Sequence, residues 1–200
     1  MVKVFISGFG TVGQGVFELL LLKMYDLEAM GGVKVTGIMD SKSYTVDNEK
    51  GVCGLCTIGN KKLSGKCGHD DRNGLDGRQI MDMADYDVLI ECTPTNIQDG
   101  GEGLKNIKHA LEKGKDVITV NKGPLALKFK ELSDLAEKNG CPSTPARSAS
   151  AQLAFTLLQL ISSRSPAGPV SILKTPVRLQ PTPVPTATAA LVLTRLLPSA

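Results

Sequence analysis

The chain has 200 residues, of which 42% are hydrophobic and 22% charged, with a net charge of +3. That apolar fraction supplies a core and excludes a globally disordered chain, and no window holds the roughly 18 uninterrupted apolar residues of a membrane span. Mixed charge signs with only 4% aromatic residues argue against a nucleic-acid partner. Five cysteines, odd in number and unevenly spaced, argue against a disulfide framework and for a reducing, cytoplasmic setting.

The averages conceal a break. All 20 Asp and Glu residues lie in 1–140, the last being Glu137, whereas 141–200 holds five bases (Arg147, Arg164, Lys174, Arg178, Arg195) and no acid. Two prolines precede position 140 and nine follow it, while Gly168 is the only glycine beyond it. Two objects are therefore expected: a folded domain over 1–140, and a low-complexity, disordered Pro/Ala/Ser/Thr-rich tail over 141–200. Out-of-frame translation of a GC-rich gene yields such a composition, so a frameshift near codon 141 is one origin of the tail and a genuine linker is the other. Residues 151–163 are apolar enough for a single helix.

Within the first object, elements alternate. Residues 2–7 (Val-Lys-Val-Phe-Ile-Ser) are a β-rich run leading into Gly8-Phe9-Gly10-Thr11-Val12-Gly13 rather than a signal peptide. An apolar helix is predicted from Val16 to about Met30, stopped by Gly31-Gly32. Strands follow at 33–39, ending at Asp40, then at 87–92 and 116–120. Helices are predicted over 103–113, with Leu104, Ile107 and Leu111 on one face, and over 125–139, closed by Gly140. Strands that are apolar throughout and separated by helices imply a Rossmann-like, doubly wound parallel α/β sheet, incomplete at its C-terminal end. The strand at 116–120 would then be an open edge that invites aggregation.

The glycine motif has a mechanical rationale. Gly8 permits a tight turn, Gly10 lets a pyrophosphate approach the backbone, and Gly13 lets the helix pack closely. The helix N-terminus then presents free N–H groups to phosphates. A glycine-rich turn with no ligand is the plain alternative. Asp40 sits where an acid can bond the adenosine ribose of NAD, and Lys42 where a base can meet the 2′-phosphate of NADP, so either cofactor fits.

Residues 47–77 are poor in apolar side chains and contain Cys53-x-x-Cys56 followed by Cys67-Gly-His69. Three thiols and an imidazole could hold zinc, two could form a redox pair, or all could be inert loop residues. Lys61, Lys62 and Lys66 beside Asp70, Asp71 and Arg72 read as a solvated loop, and His109, on a lysine-rich helix, as solvent-facing.

Three segments occur in order: Gly8-Phe-Gly-Thr-Val-Gly-Gln-Gly-Val16, Glu91-Cys-Thr-Pro-Thr-Asn96 and Thr119-Val-Asn-Lys-Gly-Pro-Leu-Ala126. With them residues 1–141 resemble the cofactor-binding domain of homoserine dehydrogenases. The resemblance implies NAD(P)-dependent interconversion of aspartate semialdehyde and homoserine, a small amino-acid substrate. It places Phe9, Thr11 and Val12 with the glycines at the cofactor, Thr93 near the nicotinamide, and Lys122 between cofactor and substrate as the catalytic group. That family also implies a homodimer built by a later domain. The acid-free tail has no counterpart of that domain or of its amine-binding acids.

Overall fold

A computed structural model describes residues 1–29, 31–139 and 171–173. The chain runs β1 (Val2–Ser7), α1 (Thr11–Leu22), α2 (Met24–Ala29), β2 (Val33–Met39), β3 (Ser43–Val46), α3 (Gly54–Ser64) and β4 (Asp70–Asp71). It continues α4 (Gly77–Met83), β5 (Val88–Glu91), α5 (Gly101–Glu112), β6 (Asp116–Thr119), α6 (Lys122–Lys138) and β7 (Ser171–Leu173). One sheet contains all seven strands in the order β4-β3-β2-β1-β5-β6-β7. The central four are parallel, with Val4 paired to Val35 on one side and to Val88 on the other.

The expected apolar strands have a cause visible in the packing. Side chains alternate across a strand, so Val4, Ile6, Ile90 and Ile118 face one layer with Val16, Phe17, Leu20 and Leu27 from α1 and α2. Phe5, Leu89 and Val117 face the other layer with Ile80, Ile107, Leu111 and Leu132 from α4, α5 and α6. Both faces are covered, so the middle positions of the central strands are apolar on both sides. The chain leaves β1 toward β2 on one side and returns to β5 on the other. That reversal opens a crevice at the carboxyl ends of β1 and β5.

Four expectations need correction. The sheet is not wholly parallel, because β3 and β4 add antiparallel at one side and β7 at the other. The long first helix is interrupted at Lys23 (φ −99°, ψ 14°), where the backbone leaves helical geometry and α2 begins afresh. The segment predicted to be a loop contains α3, a helix with only Thr57 buried, so it lacks the apolar stripe that reveals helices in a sequence. Its signals were the caps: Cys53 at the start and left-handed Gly65 (φ 73°) at the end. Finally, β6 is not an open edge, since Ser171–Leu173 pairs with Val117–Thr119. The predicted helix over 151–163 and the Gly140 stop lie outside the described residues. Among the described residues no helix is long and apolar enough to cross a membrane.

Candidate functional site

A cavity of about 610 Å³ opens at the crevice between β1 and β5. Its floor is the turn from Gly8 to Val12. Gly8 has φ 91°, and a Cβ there would lie 2.6 Å from the backbone of Cys92 and Thr93, so glycine is required where the two strand ends meet. Gly13 is pressed against the turn itself, 2.0 Å separating its would-be Cβ from the Gly8 carbonyl oxygen. Gly10 differs, with no atom within 4 Å of a Cβ. It is the N-cap of α1, and no side chain caps that helix. The first-turn N–H groups therefore face the cavity unpaired with any cap, backed by the positive end of the helix dipole, with no acid in the turn. Phe9 contributes backbone only, because its ring is buried edge-on against Phe17 at 5.8 Å. Thr11 and Val12 line the opening.

At one end of the cavity stands Asp40, just beyond β2. Its Oδ1 accepts from the backbone N–H of Lys42 and of Ser43, each at 2.8 Å, and Oδ2 pairs with Lys61 Nζ at 2.6 Å. Burial pushes the carboxyl up, but Lys61 and the two N–H groups outweigh it and hold Asp40 below the usual carboxylate range. Arg72 reaches the same end, donating to the Asp40 carbonyl at 3.3 Å and forking onto the Leu75 carbonyl. Lys42 is exposed, and its neighbour Ser41 lines the cavity with Lys61 and Arg72. Lys61 and Arg72, read from the sequence as a solvated loop, thus line the cavity. No sequence signal marked them: α3, which carries Lys61, lacks an apolar stripe, and Arg72 lies in the loop after β4.

At the other end, Thr93, Pro94 and Thr95 follow β5, and Lys122 begins α6. Asn121 caps α6, its side chain accepting from Gly123 N–H at 3.2 Å, which starts the helix three residues earlier than predicted. The same amide donates to Thr93 Oγ1 at 3.3 Å, tying the ends of β5 and β6 together. Lys122 projects as an exposed residue on the cavity rim.

The cysteines do not assemble as a metal site, and no group of three or more potential ligands occurs among the described residues. Cys53 and Cys56 are joined as a disulfide at the first turn of α3, Cα–Cα 5.4 Å, because i and i+3 residues share a helix face. Cys67 is buried, its thiol donating to the Ser43 carbonyl at 3.3 Å, and burial pushes its pKa up to about 12. His69 faces Asn60 at 3.3 Å. The reading of inert thiols thus fails for the Cys53–Cys56 pair. His109 is not solvent-facing: its Nε2 meets Asp82 at 2.8 Å and its side chain is 15% exposed.

The family described as "Homoserine dehydrogenase, NAD binding domain" matches residues 8–143. The homoserine dehydrogenase of Methanocaldococcus jannaschii is 34% identical over 140 residues, which span 68% of this chain and 41% of that protein. A provisionally named homoserine dehydrogenase from Archaeoglobus fulgidus is 42% identical with a TM-score of 0.61, over 70% of this chain and 40% of that one. A hyperthermophilic archaeal homoserine dehydrogenase, solved with NADPH, is 25% identical with a TM-score of 0.58, over 70% and 42% respectively. The matched segment thus spans about two fifths of each relative. A match over more than half of the chain, spanning the glycine turn and the two strand-end segments just described, settles its kinship: the chain belongs to the homoserine dehydrogenase NAD-binding domain family.

Proposed function

We propose that residues 1–140 bind NAD or NADP and carry the cofactor half of a homoserine dehydrogenase, which interconverts aspartate semialdehyde and homoserine in the cytoplasm. The observation behind this reading is the uncapped N-terminus of α1 at Gly10, open to a cavity that Asp40 and Lys122 bound at opposite ends. The turn Gly8–Gly13 would hold the pyrophosphate on backbone N–H groups. Asp40 would take the adenosine ribose hydroxyls. In NADP, a 2′-phosphate would compete with Asp40 for Lys61 and meet Arg72, so both cofactors have partners at that end.

Thr93 and Lys122 form the nicotinamide end. When bound, the nicotinamide donates or accepts hydride. Lys122 would then supply a cation to the substrate carbonyl oxygen and relay its proton. A substrate of this kind is a small amino acid, and the family arrangement would be a homodimer.

A second reading is a nucleotide-binding module without turnover, favoured by the absence of any acid beyond Glu137 to hold a substrate amine. NADPH oxidation with aspartate semialdehyde, followed by the nicotinamide absorbance, separates the two. Turnover lost in Lys122→Ala supports the enzyme, and nucleotide binding without turnover supports the module.

A further inference from the structure

The nicotinamide end is built on a side chain that the proposed chemistry does not use. Glu91, the last residue of β5, is completely buried. Its Oε1 accepts from Thr93 N–H at 2.7 Å and from the Thr93 hydroxyl. Its Oε2 is buried without a hydrogen-bond partner, and so is Oδ1 of Asn106 on α5. Asn106 spends its amide N–H on Ser7 Oγ at 3.0 Å. The groups acting on the carboxyl are the neutral Thr93, Ser7 and Asn106. Two buried, unsatisfied acceptors are each costly, the Asn106 amide lies within hydrogen-bonding reach of the carboxyl, and a buried anion without a cation is costlier still. One proton on Oε2 turns an acceptor into a donor and removes both deficits.

The surroundings are tightly packed. Gly103 of α5 presses on the network so closely that a Cβ there would lie 2.4 Å from Asn121 Nδ2, 2.9 Å from Thr93 Oγ1 and 3.2 Å from Glu91 Oε1. We propose that Glu91 is a neutral carboxylic acid whose Oε2–H donates to Asn106 Oδ1 while Oε1 holds Thr93, a positioning residue for the Thr93–Asn121–Lys122 corner. This role rests on the reading of that corner as the nicotinamide end. Burial independently pushes the Glu91 carboxyl above its ordinary value. The titratable group that feels Glu91 is Cys92, next in the chain, while Asp40, Lys61, Arg72, Glu102 and Lys122 line the neighbouring cavity. An ionised Glu91 would instead need the Asn106 amide turned over, with Nδ2 donating to Oε2 and Oδ1 accepting from Ser7.

Infrared spectra of the full chain and of Glu91→Gln near pH 7 decide the proton. The wild-type chain should show a protonated-carboxyl stretch that the variant lacks, and spectra without that difference would overturn the assignment. Glutamine keeps both contacts, accepting from Thr93 and donating to Asn106. NADPH and NADH affinities, read by nucleotide fluorescence, should therefore stay within about twofold in Glu91→Gln and weaken roughly tenfold in Glu91→Leu. Unchanged affinity in a folded Glu91→Leu, or a loss in Glu91→Gln equal to that in Glu91→Leu, would overturn the positioning role. Failure of the wild-type chain to bind either nucleotide would overturn that role together with the reading it rests on, whereas the infrared band alone decides the proton.

Discussion

Gly8 and Gly10 are two residues apart and do different work. Gly8 combines a left-handed φ with backbone contact at the strand ends, so Gly8→Ala should destabilise the fold by about 2 kcal/mol or more, measured by denaturant unfolding. Gly10 has φ −82° and open space around its Cβ position, so alanine fits there without strain. Gly10→Ala should leave stability within about 0.5 kcal/mol and yet weaken nucleotide binding, because the methyl group enters the space reserved for pyrophosphate. Lys61 supplies a second residue-scale prediction. Lys61→Ala should weaken NADPH binding more than NADH binding, since only the former carries a 2′-phosphate to replace Asp40 as its partner. Titration of both nucleotides against the variant checks this, and equal losses would remove Lys61 from phosphate recognition.

Glu91 also has a thermodynamic consequence. A carboxyl raised in the folded state binds its proton there at pH values where the unfolded chain has released it. Stability then falls as pH rises above the ordinary glutamate value of about 4.3, until the folded group itself ionises. Glu91→Gln lacks this loss. Its stability relative to wild type should therefore increase from about pH 4 toward neutrality, and thermal unfolding across that range measures it.

At the scale of elements, α4 offers the sharpest test. Asp76 caps it in a reciprocal box, accepting from the backbone while Gln79 Oε1 accepts from Asp76 N–H at 2.9 Å. Asp76→Ala should cost about 1 kcal/mol. The Arg78 guanidinium beside Asp76 lowers its carboxyl to about 2, so the contribution is complete above about pH 4 and lost as pH falls toward 2. The stability gap between wild type and Asp76→Ala, followed by unfolding from neutral to acid pH, should close over that window. Elements also show what the sequence made legible. The central strands and α1, α5 and α6 were readable because burial on both faces writes apolar runs, and one-sided packing writes stripes at helical spacing. The helix α3 was not readable, since it buries only Thr57 and is defined by its caps and the Cys53–Cys56 link. The glycine turn and Asp40 were marked as candidates by local sequence, and Thr93 and Lys122 by the family resemblance, whereas Lys61 and Arg72 were not marked. They reach the cavity from a helix and a loop whose placement depends on tertiary packing.

For the whole molecule, a single sheet brings four strand ends to one crevice: the turn after β1, the acid after β2, the threonines after β5 and the lysine after β6. Residues 171–173 add the last strand, covering β6 on the side where the sequence suggested an exposed edge. We propose that the rest of 141–200 is separate from the cofactor-binding unit. Its composition is compatible with a linker or with out-of-frame translation, and reading the gene in its other frames beyond codon 141 distinguishes these. The central claim, that this crevice is a dinucleotide site, is tested most directly by calorimetric titration of NADPH and NADH into the full chain beside Gly10→Ala. Saturable one-to-one binding by the wild-type chain, weakened in a variant of unchanged stability, is the predicted result. An absence of binding by the folded wild-type chain, or equal binding by both proteins, would contradict it.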